Sequence, residues 1–223
     1  EPYLMPETPY DVFAAGRQHD VPVLVGVNAE EARSLTDVRQ VKAATFAADI
    51  EKSFGQLPPP LIEAYPRATD EEARASRIAF ESDLRFGYNM WTWARLHAAR
   101  SKSKVYSYRF TQQPPFPQDS VYANWGAGHF AELWYMFDHL DQQPWRWSES
   151  DRRLANAMAA YWANFVKSGN PNGPGLPEWP AFADAKGPVL VLGEPIRAGE
   201  VTGLDRLRVF DAVYGQVRSA PIR

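Results

Sequence analysis

The chain contains no cysteine. That excludes disulfides, a thiol nucleophile and Cys-ligated zinc. The compartment stays open, because disulfide-free proteins occur on both sides of a membrane. No apolar run approaches the ~20 residues that a membrane-spanning helix needs. There is no basic block either: 24 Lys and Arg stand against 27 Asp and Glu, for a net charge of −3. A chain so balanced has nothing to recruit nucleic acid or an anionic membrane. Histidine is scarce, and His19, His97, His129 and His139 show no spacing suited to a metal. The opening Glu1-Pro2-Tyr3 lacks both an initiator Met and a signal-peptide pattern. We therefore expect a chain that has been cut, processed or recorded as a piece.

What remains is ample for a folded core. Over 223 residues, 45 % are hydrophobic and 13 % aromatic, enough for one or two domains. Pro6 and Pro9 make the opening an extended surface segment. Tyr10 to Gly16 reads as a short helix closed by its glycine. The run 21–28 (Val-Pro-Val-Leu-Val-Gly-Val-Asn) is β-branched and apolar on both faces. That pattern suits a strand buried in a parallel sheet between helix layers. Residues 41–55 recur at helical spacing and stop at Gly55, after which three prolines bar continuation. Thr69 and Glu72 form a capping box for a long helix with Phe80, Leu84, Tyr88 and Trp91 on one face. That stripe either packs in the core or lines a substrate gorge. Gly87 divides the run into two helices. Residues 104–110 alternate as a second strand, and 111–120 are an irregular, proline-rich loop. Ser148 to Asp151 can cap a helix that Gly169 ends. Residues 189–193 read as a third and last strand, and Leu204 to Tyr214 as a terminal helix packed on the outside.

His129 is the residue on which chemistry most readily turns. Gly126 and Gly128 before it permit a sharp or left-handed turn, which presents the imidazole at a loop tip. An imidazole can take and return a proton near neutral pH. The alternative is a surface or hydrogen-bonded structural histidine. Glu30 and Glu31 follow the first strand at a helix start, where acids favour the positive end of the macrodipole. Glu132, three residues after His129, is placed for a metal pair only if a third ligand joins them.

The stretch 126–137, Gly-Ala-Gly-His-Phe-Ala-Glu-Leu-Trp-Tyr-Met-Phe, resembles a signature of the type-B carboxylesterase/cholinesterase family of α/β-hydrolases. That signature reads Gly-Ala-x-His-x-x-Glu-Leu-x-Tyr-x-Phe. Further stretches match in the family's order. Leu4 to Pro9 is similar to its Leu-Pro-x-x-Pro, and Val105 to Phe110 to its Val-Tyr-x-Tyr-x-Phe. Trp162 to Phe165 with Gly169 to Gly173 and Trp179-Pro180 is similar to its Trp-x-x-Phe…Gly-x-Pro-Asn…Trp-Pro. Gly26-Val27-Asn28-Ala29-Glu30-Glu31 resembles Gly-x-Asn-x-Asp-Glu-Gly, with Ala32 in place of the closing glycine.

The resemblance implies an α/β fold: residues 1–223 would be the C-terminal part of one α/β-hydrolase catalytic domain. Its strands would be mostly parallel, flanked by helices, and incomplete without an N-terminal portion. It implies a serine carboxylic-ester hydrolase in which His129 is the triad base and Glu31 the triad acid. Trp125 and Phe130 would lie near the acyl or leaving-group pocket, or else simply pack. Glu132 is then a buried hydrogen-bonding support, and neither metal nor cofactor is called for. The substrate is a small-molecule ester. No Gly-x-Ser-x-Gly occurs in the chain, and no Gly-Gly run for an oxyanion hole. The expected partner is thus an N-terminal portion of the same enzyme carrying that motif, without which this chain is inactive. The family also favours a secreted or periplasmic location. The alternatives are a non-catalytic, cholinesterase-like interaction module or an inactive proteolytic fragment.

Overall fold

A computed structural model describes residues 7–219. The Leu4-Met5-Pro6 part of the opening segment lies outside the described residues. Four strands form one sheet in the order β1 (Val23–Asn28), β2 (Val105–Phe110), β3 (Val189–Leu192) and β4 (Arg197–Gly199). The first three run parallel, with Val23 opposite Val105 and Tyr108 opposite Leu190, and β4 is antiparallel to β3. β1 is a terminal strand, so among the described residues its outer edge carries no partner strand.

Strand periodicity divides the core into two. Val23, Val25, Val105 and Val189 project to one face, while Tyr106, Phe110, Leu190 and Leu192 project to the other. On the first face lie α2 (Phe46–Phe54), α4 (Asp70–Ser82), α5 (Tyr88–Arg100) and α8 (Leu204–Ser219), which contribute Phe46, Phe80, Trp91 and Phe210. The second face is covered by α7 (Glu149–Ser168) through Leu154, Met158 and Tyr161, together with Trp179. Each large side chain so buried contributes about 1.5–3 kcal/mol. Covering both faces explains why β1 and β3 are near-continuously apolar rather than alternating.

Local chemistry sets the helix ends. Thr8 caps α1 (Pro9–Ala14), and Thr69 accepts from the Glu72 amide at the start of α4. Ser148 and Asp151 form a complete capping box for α7, and Gly169 closes it in the left-handed conformation. The short helices α3 (Pro59–Glu63) and α6 (Leu133–Met136) complete the chain.

Four expectations change. β1 begins at Val23 rather than residue 21, because Pro22 has no N–H and Val23 is the first to donate, to the Lys104 carbonyl. Gly87 does not divide the long helix. A π-helical turn, Asp83–Gly87, joins α4 to α5 without a break. The third strand is not the last: β4 follows it, and Arg197-Ala198-Gly199 is too short and too polar to signal a strand. The terminal helix runs to Ser219 and is not merely external, since Phe210 is fully buried against Phe80 and Tyr88.

Candidate active site

β1 ends at Asn28, and the chain turns at once through a single 3-10 turn, Glu31–Ser34. Four residues make no appreciable macrodipole, so the account of Glu30 and Glu31 as stabilisers of a helix start fails here. Their side chains have specific partners instead. Glu31 is 6 % exposed, and its Oε1 accepts the Asn28 backbone N–H at 2.8 Å. That bond rotates the carboxylate so that Oε2 faces the His129 Nδ1, also at 2.8 Å.

His129 arrives from the opposite side, 98 residues later, on the loop that follows β2. Its amide donates to the Glu31 carbonyl at 3.1 Å, so backbone and ring are fixed to the same residue. A carboxylate can only accept, hence Nδ1 carries the proton, and in the neutral ring Nε2 is the nitrogen with the lone pair. The ring lies against Phe86 of the π-helical turn, with centroids 4.7 Å apart, and against Phe130 at 4.0 Å.

Three further groups complete the constellation. The buried Asn28 carboxamide donates to the Gly128 carbonyl at 2.8 Å and to the Glu132 carboxylate. Burial pushes the Glu132 carboxyl above its ordinary value, while the Asn28 amide draws it back down. Glu132 precedes α6 and shares no helix with His129; no trio of metal-ligating side chains gathers among the described residues. Ser82, the last residue of α4, accepts the Ala32 amide at 3.0 Å and pins the residue after Glu31.

Beside the imidazole runs an apolar groove of about 440 Å³, whose walls include Phe116, Tyr122, Trp125, Phe130 and Trp134. Trp125 is half-buried and meets Tyr122 edge-on with centroids 5.0 Å apart. Phe130 is 58 % exposed at the groove mouth and holds φ at +70°. His139 also lines the groove but is exposed, and His97 is buried far away, its Nε2 2.8 Å from the Val21 carbonyl.

The structure thus brings Glu31, His129 and Glu132 into one cluster and sets Trp125 and Phe130 along its flank. Sequence reasoning did not single out Asn28, Ser82 or Phe86. Asn28 did sit inside a quoted motif, next to the residues that mattered, but its side-chain partners lie 100 and 104 positions away. Ser82 and Phe86 gave no signal beyond a helical pattern.

A partly parallel sheet, helix layers on both faces and a carboxylate–imidazole pair beyond the strand ends define an α/β-hydrolase fold. PNB esterase structures match it, one with a TM-score of 0.71 at 24 % identity, over 94 % of this chain and 42 % of that one. The carboxylesterase family model matches residues 1–207, and the chain belongs to that family. Among its relatives are the Pyrethroid hydrolase Ces2e of Rattus norvegicus and the Fumonisin B1 esterase of Sphingopyxis macrogoltabida. The first is 30 % identical over 193 residues, covering 80 % of this chain and 34 % of the relative. The second is 28 % identical over 214 residues, covering 91 % and 38 %. The chain therefore spans about a third of the length of the curated relatives it matches.

Proposed function

We propose that this chain supplies the acid and base of a Ser-His-Glu triad in a carboxylic-ester hydrolase. The nucleophile comes from a segment bearing Gly-x-Ser-x-Gly outside these 223 residues. The observation that carries the reading is the 2.8 Å contact between Glu31 Oε2 and His129 Nδ1, made by a carboxylate whose other oxygen is already taken. In the reaction, His129 Nε2 accepts the serine proton as the hydroxyl attacks the ester carbonyl. It then returns that proton to the leaving alkoxide, and a water repeats the cycle on the acyl-enzyme. Glu31 keeps the imidazole in the right tautomer and faces the imidazolium that forms. Glu132, partly buried, acts through Asn28 as a hydrogen-bonding support. The groove past Trp125 and Phe130 receives an apolar part of a small ester.

Chain order supports the assignment, since α/β-hydrolases present the acid before the base. The test is p-nitrophenyl acetate hydrolysis by the 223-residue chain and by the protein carrying the Gly-x-Ser-x-Gly segment. We expect saturable turnover only with that segment, and its loss in His129→Ala. Saturable turnover by the chain alone, abolished by His129→Ala, refutes the need for a companion segment. Turnover by the complete protein that His129→Ala leaves intact refutes the base, whereas no turnover by the complete protein favours a non-catalytic interaction module.

A further inference from the structure

The loop that carries His129 is conformationally expensive. Within seven residues, Asn124 has φ of +66°, Gly126 +55° and Phe130 +70°. An asparagine tolerates the left-handed region and a glycine is free in it, but a phenylalanine is not. Such a loop persists only where its surroundings over-determine it.

Two side chains do so here: Glu30, just ahead of the 3-10 turn, and Arg33 within it. The Glu30 amide donates to the Ala127 carbonyl at 3.0 Å, and the Ala127 amide donates back to Glu30 Oε2 at 3.3 Å. Arg33 holds the other Glu30 oxygen at 2.5 Å through one guanidinium nitrogen. Through Nε it also donates to the Asn124 carbonyl at 2.6 Å. Glu30 and Arg33 thus grip the loop at both ends of 124–127, two residues before the imidazole.

Packing shows how close the grip is. A Cβ on Gly126 would stand 2.4 Å from Glu30 Oε2 and 3.3 Å from Arg33 Cδ, so no other residue fits without displacing the clamp. The pair is partly exposed, with side chains 26 % and 36 % accessible, and an ion pair of that kind contributes little to stability in itself. Its consequence is geometric.

We propose that Glu30 and Arg33 are positioning residues for His129, acting through the 124–128 loop to hold the imidazole against Glu31. The proposal deepens the triad reading and rests on it for its catalytic consequence. Loss of the clamp lets the loop relax, and a base displaced by about 1 Å costs on the order of 10²-fold in turnover. Arg33 uses two different nitrogens of one planar fork for two acceptors, which a lysine ammonium cannot reproduce.

The test measures ester hydrolysis in the protein as its own gene expresses it. The variants are Glu30→Gln, Arg33→Met and Arg33→Lys, with the exposed acid variant Asp37→Asn as control and Glu31→Gln in parallel. We expect Glu30→Gln and Arg33→Met to lower kcat by about 10²-fold with KM changed less than threefold. Arg33→Lys should fail to rescue, and Asp37→Asn should match the parent. Values of kcat for the clamp variants within twofold of Asp37→Asn, while Glu31→Gln is inactive, overturn the clamp and leave the triad standing. If Glu31→Gln is fully active, the triad reading falls, and the clamp is judged by amide hydrogen exchange at Ala127 and His129. Glu30→Gln or Arg33→Met must then lower protection there by about tenfold; unchanged protection overturns it.

Discussion

Replacing Glu31 with Gln tests the site at its most sensitive joint, because the two carboxylate oxygens do different things. Oε1 accepts the Asn28 N–H and Oε2 faces His129 Nδ1, each at 2.8 Å. A Gln amide keeps the shape but has one acceptor and one NH₂ group, so only one of the two bonds survives. With the amide oxygen toward Asn28, the NH₂ meets Nδ1 and forces the proton onto Nε2, which removes the base. With the oxygen toward His129, the NH₂ confronts a buried N–H, which costs about 1–3 kcal/mol. That penalty alone populates the wrong arrangement over the right one by roughly 5- to 150-fold. The carboxylate charge opposite the imidazolium is lost as well. Together these match the ~10⁴-fold fall in turnover that the acid-to-amide change produces in a serine protease triad, about 5 kcal/mol at the transition state. The assay is kcat for a p-nitrophenyl ester in the protein carrying the nucleophile segment, with ¹⁵N shifts of the His129 ring reporting the tautomer. A loss below tenfold, in a variant that melts like the parent, would refute the reasoning.

Three other perturbations follow from contacts elsewhere in the fold. Asp151 is buried, which disfavours its charge, yet the Ser148 hydroxyl and amide, the Tyr135 hydroxyl and the Gln112 amide outweigh burial and hold its carboxyl below the ordinary value. The stabilisation it brings is therefore complete above the unfolded carboxylate pKa of ~3.9 and lost as pH falls through the depressed folded value. Asp151→Asn should cost about 2 kcal/mol at neutral pH and flatten the acid limb of a Tm-against-pH curve; an unchanged limb contradicts this. In Gly26→Ala the new methyl would stand 2.3 Å from the Tyr108 ring. The overpacking should cost about 1–3 kcal/mol, read as a lower urea midpoint at constant m, with Tyr108→Leu restoring most of it. Trp125→Ala should raise KM about tenfold for p-nitrophenyl esters with long or aromatic acyl chains while leaving acetate within threefold. Equal effects on both would remove Trp125 from the substrate groove.

The parts of this molecule that were readable share a physical property: their cause lies within a few residues. The capping box at Ser148 and Asp151, the stops at Gly55 and Gly169, and the doubly apolar β1 are all local statements about backbone donors and burial. So were the stretches around Glu31 and His129, whose residue types sit in compact motifs. The rest depends on partners distant in sequence. Ser82 reaches the Ala32 amide across 50 positions, and nothing near Ser82 hints at it. The π-helical turn escaped notice because Gly87 reads as a helix breaker, whereas the chain absorbs an extra residue there and keeps its bonds. Glu30 read as a dipole stabiliser because the loop it grips lies 97 residues on.

That β1 has no partner on its outer edge among the described residues carries a consequence of its own. Its outward N–H and C=O groups form an address for another strand, and on that edge a parallel newcomer takes a fixed polarity. Neighbours in a parallel ladder end on the same side about 4.8 Å apart. A strand zipped there would release its C-terminal turn next to Asn28, within reach of the Glu31–His129 couple, with no further docking information required. Such an edge would deliver a strand as well as hold it. Left bare on an apolar strand, it also invites any passing β-segment to stick, including another copy of itself. Concentration-dependent clumping of the isolated chain, relieved when that edge is covered, would be the visible signature of the same row of backbone groups.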